Sequence, residues 1–110
     1  MAKRSTDLLK GTLDLLILKT LELEPRHGVA VADRIAQITR GTFVVKPGSL
    51  FPALHRLEDD GYIIGAWGET AEGRRAKVYT LSRAGRTQLG IEKRNWLKIS
   101  AAMGQVLEAE

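Results

Sequence analysis

With 110 residues, 44% of them hydrophobic, the chain has the length of one domain and enough apolar material for a modest core. Its 17 Lys and Arg against 13 Asp and Glu leave a net charge of +4, which favours an anionic partner without naming one. The lack of cysteine excludes a disulfide framework, a thiolate nucleophile and a zinc–cysteine site, and the longest apolar run, residues 15–18, is far too short to span a membrane. A cytoplasmic protein with no membrane partner is expected.

Residues 1–6 read as a polar basic arm carrying Lys3 and Arg4, after which Ser5 or Thr6 caps a first helix that runs to about Leu23. Leu8, Leu9, Leu13, Leu15, Leu16, Ile17, Leu18 and Leu21 cover more of its circumference than one core requires. A helix apolar on two sides has two partners, and in so small a protein the second is expected to be another subunit. Pro25 ends this helix, and residues 24–28 read as a turn. A second helix follows, with Val29, Ala32, Ile35, Ala36 and Ile38 or Thr39 as its apolar face, until Arg40 and Gly41 stop it.

After the short β-prone link of residues 42–45 comes a segment with a hard start and a hard stop, residues 46–61. Either Pro47 is its first helical residue or Ser49 is its N-cap, with Pro52 inside the first turn; Pro47 is favoured, and Gly61 is expected at positive φ beyond the C-terminus. Leu50, Ala53, Leu54 and Leu57 form one apolar stripe, and Gly48, Ser49, Pro52, His55, Arg56 and Asp59 cover the other side. Lys46 and Ser49 sit at the N-terminal end, whereas Glu58, Asp59 and Asp60 crowd the C-terminal end and would repel phosphates. Only the N-terminal half therefore suits a DNA groove, the way a helix-turn-helix presents its recognition helix. Taken alone, the pattern fits a plain amphipathic core helix equally well.

Residues 62–67 and 77–81 are predicted strands flanking a long projecting tip, residues 68–76, and three helices followed by such a hairpin describe a winged helix. Ser82 starts a last helix in which Leu89, Trp96, Ile99, Met103 and Val106 make a heptad-like seam. Glu92 interrupts that seam, and Gly90 and Gly104 weaken the helix, which favours a short helix-to-helix dimer contact over a long coiled coil. The expected fold is mainly α with a β-hairpin wing. Residues 1–81 form a winged helix-turn-helix and residues 82–110 a C-terminal dimerisation helix, within a single structural unit.

His27 and His55, the two histidines, have no helically spaced carboxylate or histidine partner, and no glycine loop of the phosphate-cradling kind is present. No catalysis, metal or cofactor is expected. The cations fall where a winged helix would use them on double-stranded DNA: Lys3 and Arg4 on the arm, Lys46 and Arg56 on the third helix, Arg74, Arg75 and Lys77 at the wing. Ser49, Pro52, His55 and Arg56 are the candidates for base reading, Arg56 by forking onto a guanine edge and Pro52 by touching a thymine methyl. A homodimer would use Leu9, Leu13, Leu16, Leu89, Trp96, Ile99, Met103 and Val106, and Trp96 is also a candidate wall for a small-molecule effector.

In its residues 8–96 the chain resembles the PadR family of bacterial transcriptional regulators. The resemblance rests on Gly11-Thr-Leu-Asp-Leu-Leu-Ile-Leu18, His27-Gly28, Gly48-Ser-Leu-Phe-Pro-Ala-Leu-His-Arg-Leu-Glu58 with Gly61, Gly73-Arg-Arg75, Tyr79-Thr-Leu-Ser82 and Ala84-Gly85, in that order. It implies a homodimer in which the third helix enters the major groove, the wing touches the backbone or minor groove, and the first and last helices form the interface. The short subfamily, with a single C-terminal helix, is the nearest in plan. Two positions depart from the family pattern: Val29 stands where an aromatic is usual, and Phe51 where a tyrosine would offer its hydroxyl to phosphate. The expected function is a dimeric repressor on a pseudo-palindromic operator. A winged helix that binds protein, and a sensor with a ligand pocket at the dimer interface, are the alternatives.

Overall fold

In the computed structural model, which describes residues 10–110, the elements follow in the order α1 (Lys10–Leu23), β1 (Arg26–His27), α2 (Gly28–Ile38), α3 (Pro47–Asp59), β2 (Ile63–Glu69), β3 (Arg75–Leu81) and α4 (Arg83–Leu107). The expected start of the first helix, and Lys3, Arg4 and Leu9 with it, lie outside the described residues. The result is a winged helix, mainly α, whose wing belongs to a three-stranded antiparallel sheet of order β1-β3-β2. Among the described residues no helix is long and apolar enough to cross a membrane.

Local chemistry sets the helix ends. α3 starts on Pro47, whose missing N–H falls where no helical bond would be made. It ends in a Schellman motif: Gly61 N–H donates to the Glu58 carbonyl, Tyr62 N–H to the Leu57 carbonyl, and Gly61 sits at φ +81°. α2 closes in the same way, with Arg40 at φ +51° in the left-handed position that glycine usually takes. At the start of α4 the Ser82 hydroxyl accepts from Gly85 N–H and donates to the Gly61 carbonyl, which joins the end of α3 to the root of the last helix. Gly85 allows that junction to close, because a Cβ there would land on the Tyr62 carbonyl.

The core gathers Ile17, Leu18 and Leu21 of α1, Val31 and Ile35 of α2, the whole stripe Leu50, Ala53, Leu54 and Leu57 of α3, and Ile63, Tyr79 and Leu81 of the sheet. Burying a side chain of this size stabilises by about 1.5–3 kcal/mol, so α3 is anchored chiefly through its apolar stripe. Leu13 and Leu89, expected at a subunit contact, are 7% and 5% exposed and belong to this same core. They therefore have almost no surface left for a second chain.

Three further expectations are corrected. Residues 24–28 are not simply a turn, since Arg26 and His27 pair with Tyr79 and Val78 as a third strand. The buried line of α2 is Gly28, Val31 and Ile35, leaving Val29 and Ile38 about half exposed, because Gly28 rather than Val29 meets the Phe51 ring and Leu54. The wing tip is shorter than residues 68–76: the ladder continues through Gly68 opposite Ala76 to Glu69 opposite Arg75, and the loop is residues 70–74. Gly73 at φ +80° and the Thr70 hydroxyl, which accepts from Arg74 N–H, close it.

Beyond Leu89, α4 leaves the core and projects. Its 25 residues would span roughly 37 Å at the helical rise. The radius of gyration, 15.3 Å, exceeds the roughly 13 Å of a compact chain this long for that reason.

Candidate nucleic-acid interface

The outer face of α3 begins where its backbone is rigid. Ser49 and Leu50 N–H groups both donate to the Lys46 carbonyl, so the first turn is closed on the N-cap residue and the positive end of the helix dipole is carried there. Lys46, Gly48, Ser49, Pro52 and His55 are all exposed along this face, as their spacing predicts. A Cβ at Gly48 would meet nothing within 4 Å, so nothing inside the chain requires a glycine there.

Of the seven cations expected to act together, Lys46, Arg74 and Arg75 stand exposed, at the start of α3 and at the wing. Arg75 lies over the ring of Trp67, its guanidinium carbon 4.8 Å from the ring centre, a contact that favours a planar donor above β2. Trp67 is itself 63% exposed, an unusual place for a large aromatic unless something covers it. Glu69 and Glu72 share the wing tip with Arg74 and Arg75, so the tip offers directed guanidinium groups rather than a net positive field.

Two of the expected cations are already engaged. Arg56 turns inward and donates to the Asp14 carboxylate of α1, with the two side chains 30% and 16% exposed. Lys77 reaches from β3 to Glu58 at the end of α3, 2.8 Å away, and that carboxylate holds the ammonium above its ordinary range. The pair also disposes of one of the three acids at the α3 C-terminus, where a negative charge opposes the helix dipole. Asp59 and Asp60 remain exposed at that end.

Between α3 and the wing lies an open cleft of about 390 Å³ with Phe51, Trp67 and Tyr79 among its walls. It brings together His27 and His55, which stand 28 positions apart in the sequence. His27 caps α2, its Nδ1 accepting from Ala30 N–H at 3.4 Å. Among the described residues no group of three histidines, cysteines or carboxylates could hold a metal ion.

Between α1 and α4, two hollows of about 210 and 300 Å³ border Trp96. Leu15 and Leu16 line the larger one, and Glu92 and Asn95 the smaller. Burial pushes the Glu92 carboxyl up, against a lowering hydrogen bond from Gln88, and the neighbouring Asp14 charge pushes the same way as burial. Past this point the seam is bare: Trp96, Ile99, Met103 and Val106 are 45%, 50%, 62% and 74% exposed.

Both ion pairs and the β1–β3 pairing join positions far apart in the chain, and neither periodicity nor spacing carries a trace of them. The one available sign was Gly65, a glycine inside a predicted strand, which marks a close approach.

Comparison with known proteins agrees with this geometry. The pattern of the Transcriptional regulator PadR-like family matches residues 17–91, more than half of the chain. A PadR-like transcriptional regulator from Bacillus cereus superposes with a TM-score of 0.79 at 27% identity, over 96% of this chain and all of the other. A PadR family transcription regulator from Clostridium difficile gives 0.74 at 31% identity, over 86% and 97%. The transcriptional regulator Rv3488 of Mycobacterium tuberculosis is 38% identical over 58 residues, which is 53% of each chain. These relatives are regulators and not enzymes, and from a family pattern that spans α2, α3, the wing and the root of α4, the chain belongs to the PadR-like family of transcriptional regulators.

Proposed function

We propose that the protein is a cytoplasmic, homodimeric transcriptional repressor that binds a pseudo-palindromic operator in double-stranded DNA. The observation that carries the reading is the exposed N-terminal half of α3 standing beside the wing, with Lys46 on one and Arg74 on the other. Among the described residues neither cation has an acidic partner. Gly48 supports it, since its flat surface has no internal use and suits a backbone or base edge at close range.

In this reading α3 enters the major groove by its first two turns. Ser49, Pro52 and His55 face base edges, Lys46 a phosphate, and Arg74 and Arg75 the backbone or minor groove beside it. Arg56, held by Asp14, contributes to α3's seating rather than to guanine recognition. The arm residues Lys3 and Arg4 would add phosphate contacts.

The bare apolar seam of α4, Trp96, Ile99, Met103 and Val106, with the partly buried Leu16 of α1, supports a second copy as its cover, and Leu9 is proposed to join that contact. A two-fold axis then spaces two recognition helices about one helical turn, or about 34 Å, apart. A small-molecule effector is favoured by one observation, the pair of hollows on either side of Trp96. Selection from a random duplex pool tests the whole reading. It should recover two inverted half-sites about 10 base pairs apart, and a variant carrying Met103→Glu and Val106→Glu should sediment as a monomer and lose the selected DNA. Recovery of unrelated sequences, or a monomeric wild type, contradicts it.

A further inference from the structure

We propose that Glu58, Lys77 and Gly65 form a clasp that fixes the wing against the recognition helix, with Lys77 a positioning residue and not a phosphate ligand. The proposal rests on the DNA-binding reading for its functional consequence, but the clasp itself stands on geometry.

Lys77 leaves β3 opposite Trp67, and its ammonium must pass the face of β2 to reach α3. Gly65, opposite Tyr79, is the gap that it passes through. A Cβ on Gly65 would stand 2.5 Å from Lys77 Cε, 2.9 Å from Glu58 Oε2 and 3.1 Å from the Tyr79 ring. All three neighbours belong to one device. A glycine in the middle of a strand weakens it, so its place here is explained by that crossing. At the far end the ammonium donates to Glu58 Oε1 at 2.8 Å and lies 5.8 Å from the centre of the buried Tyr79 ring. The Lys77 and Glu58 side chains are about one-third and one-quarter exposed, so water screens the pair only partly.

Elsewhere the described part of the wing is tied through its root, where Ser82 N–H donates to the Tyr62 carbonyl and β1 pairs with β3 at Arg26 and His27. Among the described residues Glu58–Lys77 is the ion pair that links the middle of the wing to α3, and Lys77 is one wall of the cleft that His55 and Trp67 also line. Swinging Lys77 away to a phosphate would leave the Glu58 carboxylate uncompensated beside a polyanion, which opposes the swing. The pair therefore sets the distance between the Arg74 and Arg75 groups and the α3 face without itself touching DNA.

The test compares Lys77→Met, Glu58→Gln, Lys77→Arg and Arg74→Ala on a duplex selected as above, with affinity measured over a range of salt concentrations. Lys77→Met should weaken binding about tenfold, because a loosened wing has to be ordered on the DNA, while the Arg74 and Arg75 contacts and with them the wild-type salt slope are kept. Arg74→Ala should flatten the slope by about 0.9 per protomer, the signature of a lost phosphate contact. Glu58→Gln, which removes a negative charge from the protein, should nevertheless weaken binding, and Lys77→Arg, which keeps a cation for Glu58, should bind as the wild type does. A slope reduced by about 0.9 per protomer in Lys77→Met, or tighter binding by Glu58→Gln, overturns the proposal. Amide relaxation of residues 63–81 in the free protein gives a readout independent of DNA. Both Lys77→Met and Glu58→Gln should loosen the wing relative to α3; an unchanged wing overturns the clasp whether or not the protein binds DNA. Absence of wild-type DNA binding together with a loosened wing would sink the DNA-binding reading alone.

Discussion

Replacing Asp14 with alanine should show how firmly α1 seats the recognition helix. Asp14 is the acceptor for Arg56, and both side chains are mostly covered by the fold. At contact distance two unit charges attract by about 4 kcal/mol at the effective dielectric typical of a protein surface. Desolvation cancels much of that, and the 30% exposure of Arg56 lets a released guanidinium regain water. A net loss of about 1–2 kcal/mol remains, the ordinary worth of a charged hydrogen bond, and in a domain this size it lowers Tm by about 4–10 °C. The assay is a double-mutant cycle of Asp14→Ala and Arg56→Ala by urea unfolding, at one protein concentration because self-association shifts apparent stability. A coupling of about 1 kcal/mol is expected; additivity to within about 0.3 kcal/mol would refute the claim that this pair holds α3. Release also frees one cation, so Asp14→Ala should steepen the salt dependence of DNA binding by up to about 0.9 per protomer.

Gly48→Ala separates fold from function. The added methyl meets open space, and alanine is the better helix former by up to about 1 kcal/mol, so stability should hold or rise while DNA affinity falls. Unchanged affinity would remove this face from the interface. Glu92→Gln tests the partly buried carboxyl in the α4 seam by its pH dependence. Because burial raises the folded-state pKa, the stability that Glu92 contributes is present below its ordinary value of 4.5 and lost as pH rises through the raised one. The glutamine variant should therefore melt higher than wild type at neutral pH and equal it below about pH 4; the same gain at both would assign the effect to something other than ionisation.

The parts of the fold that could be read from sequence were those decided locally. Pro47 and Gly61 mark the ends of α3, and Leu50, Ala53, Leu54 and Leu57 repeat at helical spacing, so helix, cap and buried face all follow from neighbours in the chain. The face of α2 depended on a partner. Val29 looks as apolar as Val31, but Gly28 is the residue small enough to receive Phe51 and Leu54. β1 is two residues long and pairs across some 50 positions of chain, leaving no period to detect. The seam of α4 shows a further limit: Leu89 and Met103 share a heptad spacing, yet one closes the core of its own chain and the other is 62% exposed. Periodicity identifies a buried face but not whose core it joins. The same holds for charge, since Arg56 and Lys77 carry the same sign as Lys46 and Arg74 but find acidic partners 42 and 19 positions away.

The salt dependence and stoichiometry of binding to the selected duplex test the central claim most directly. Two protomers each presenting Lys46, Arg74 and Arg75 displace about six counterions, so log K should fall against log salt with a slope of about −5, with any contribution from Lys3 and Arg4 making it steeper. Two chains should bind each duplex. A slope near zero, one chain per duplex, or micromolar binding that is indifferent to sequence at physiological salt would contradict the account.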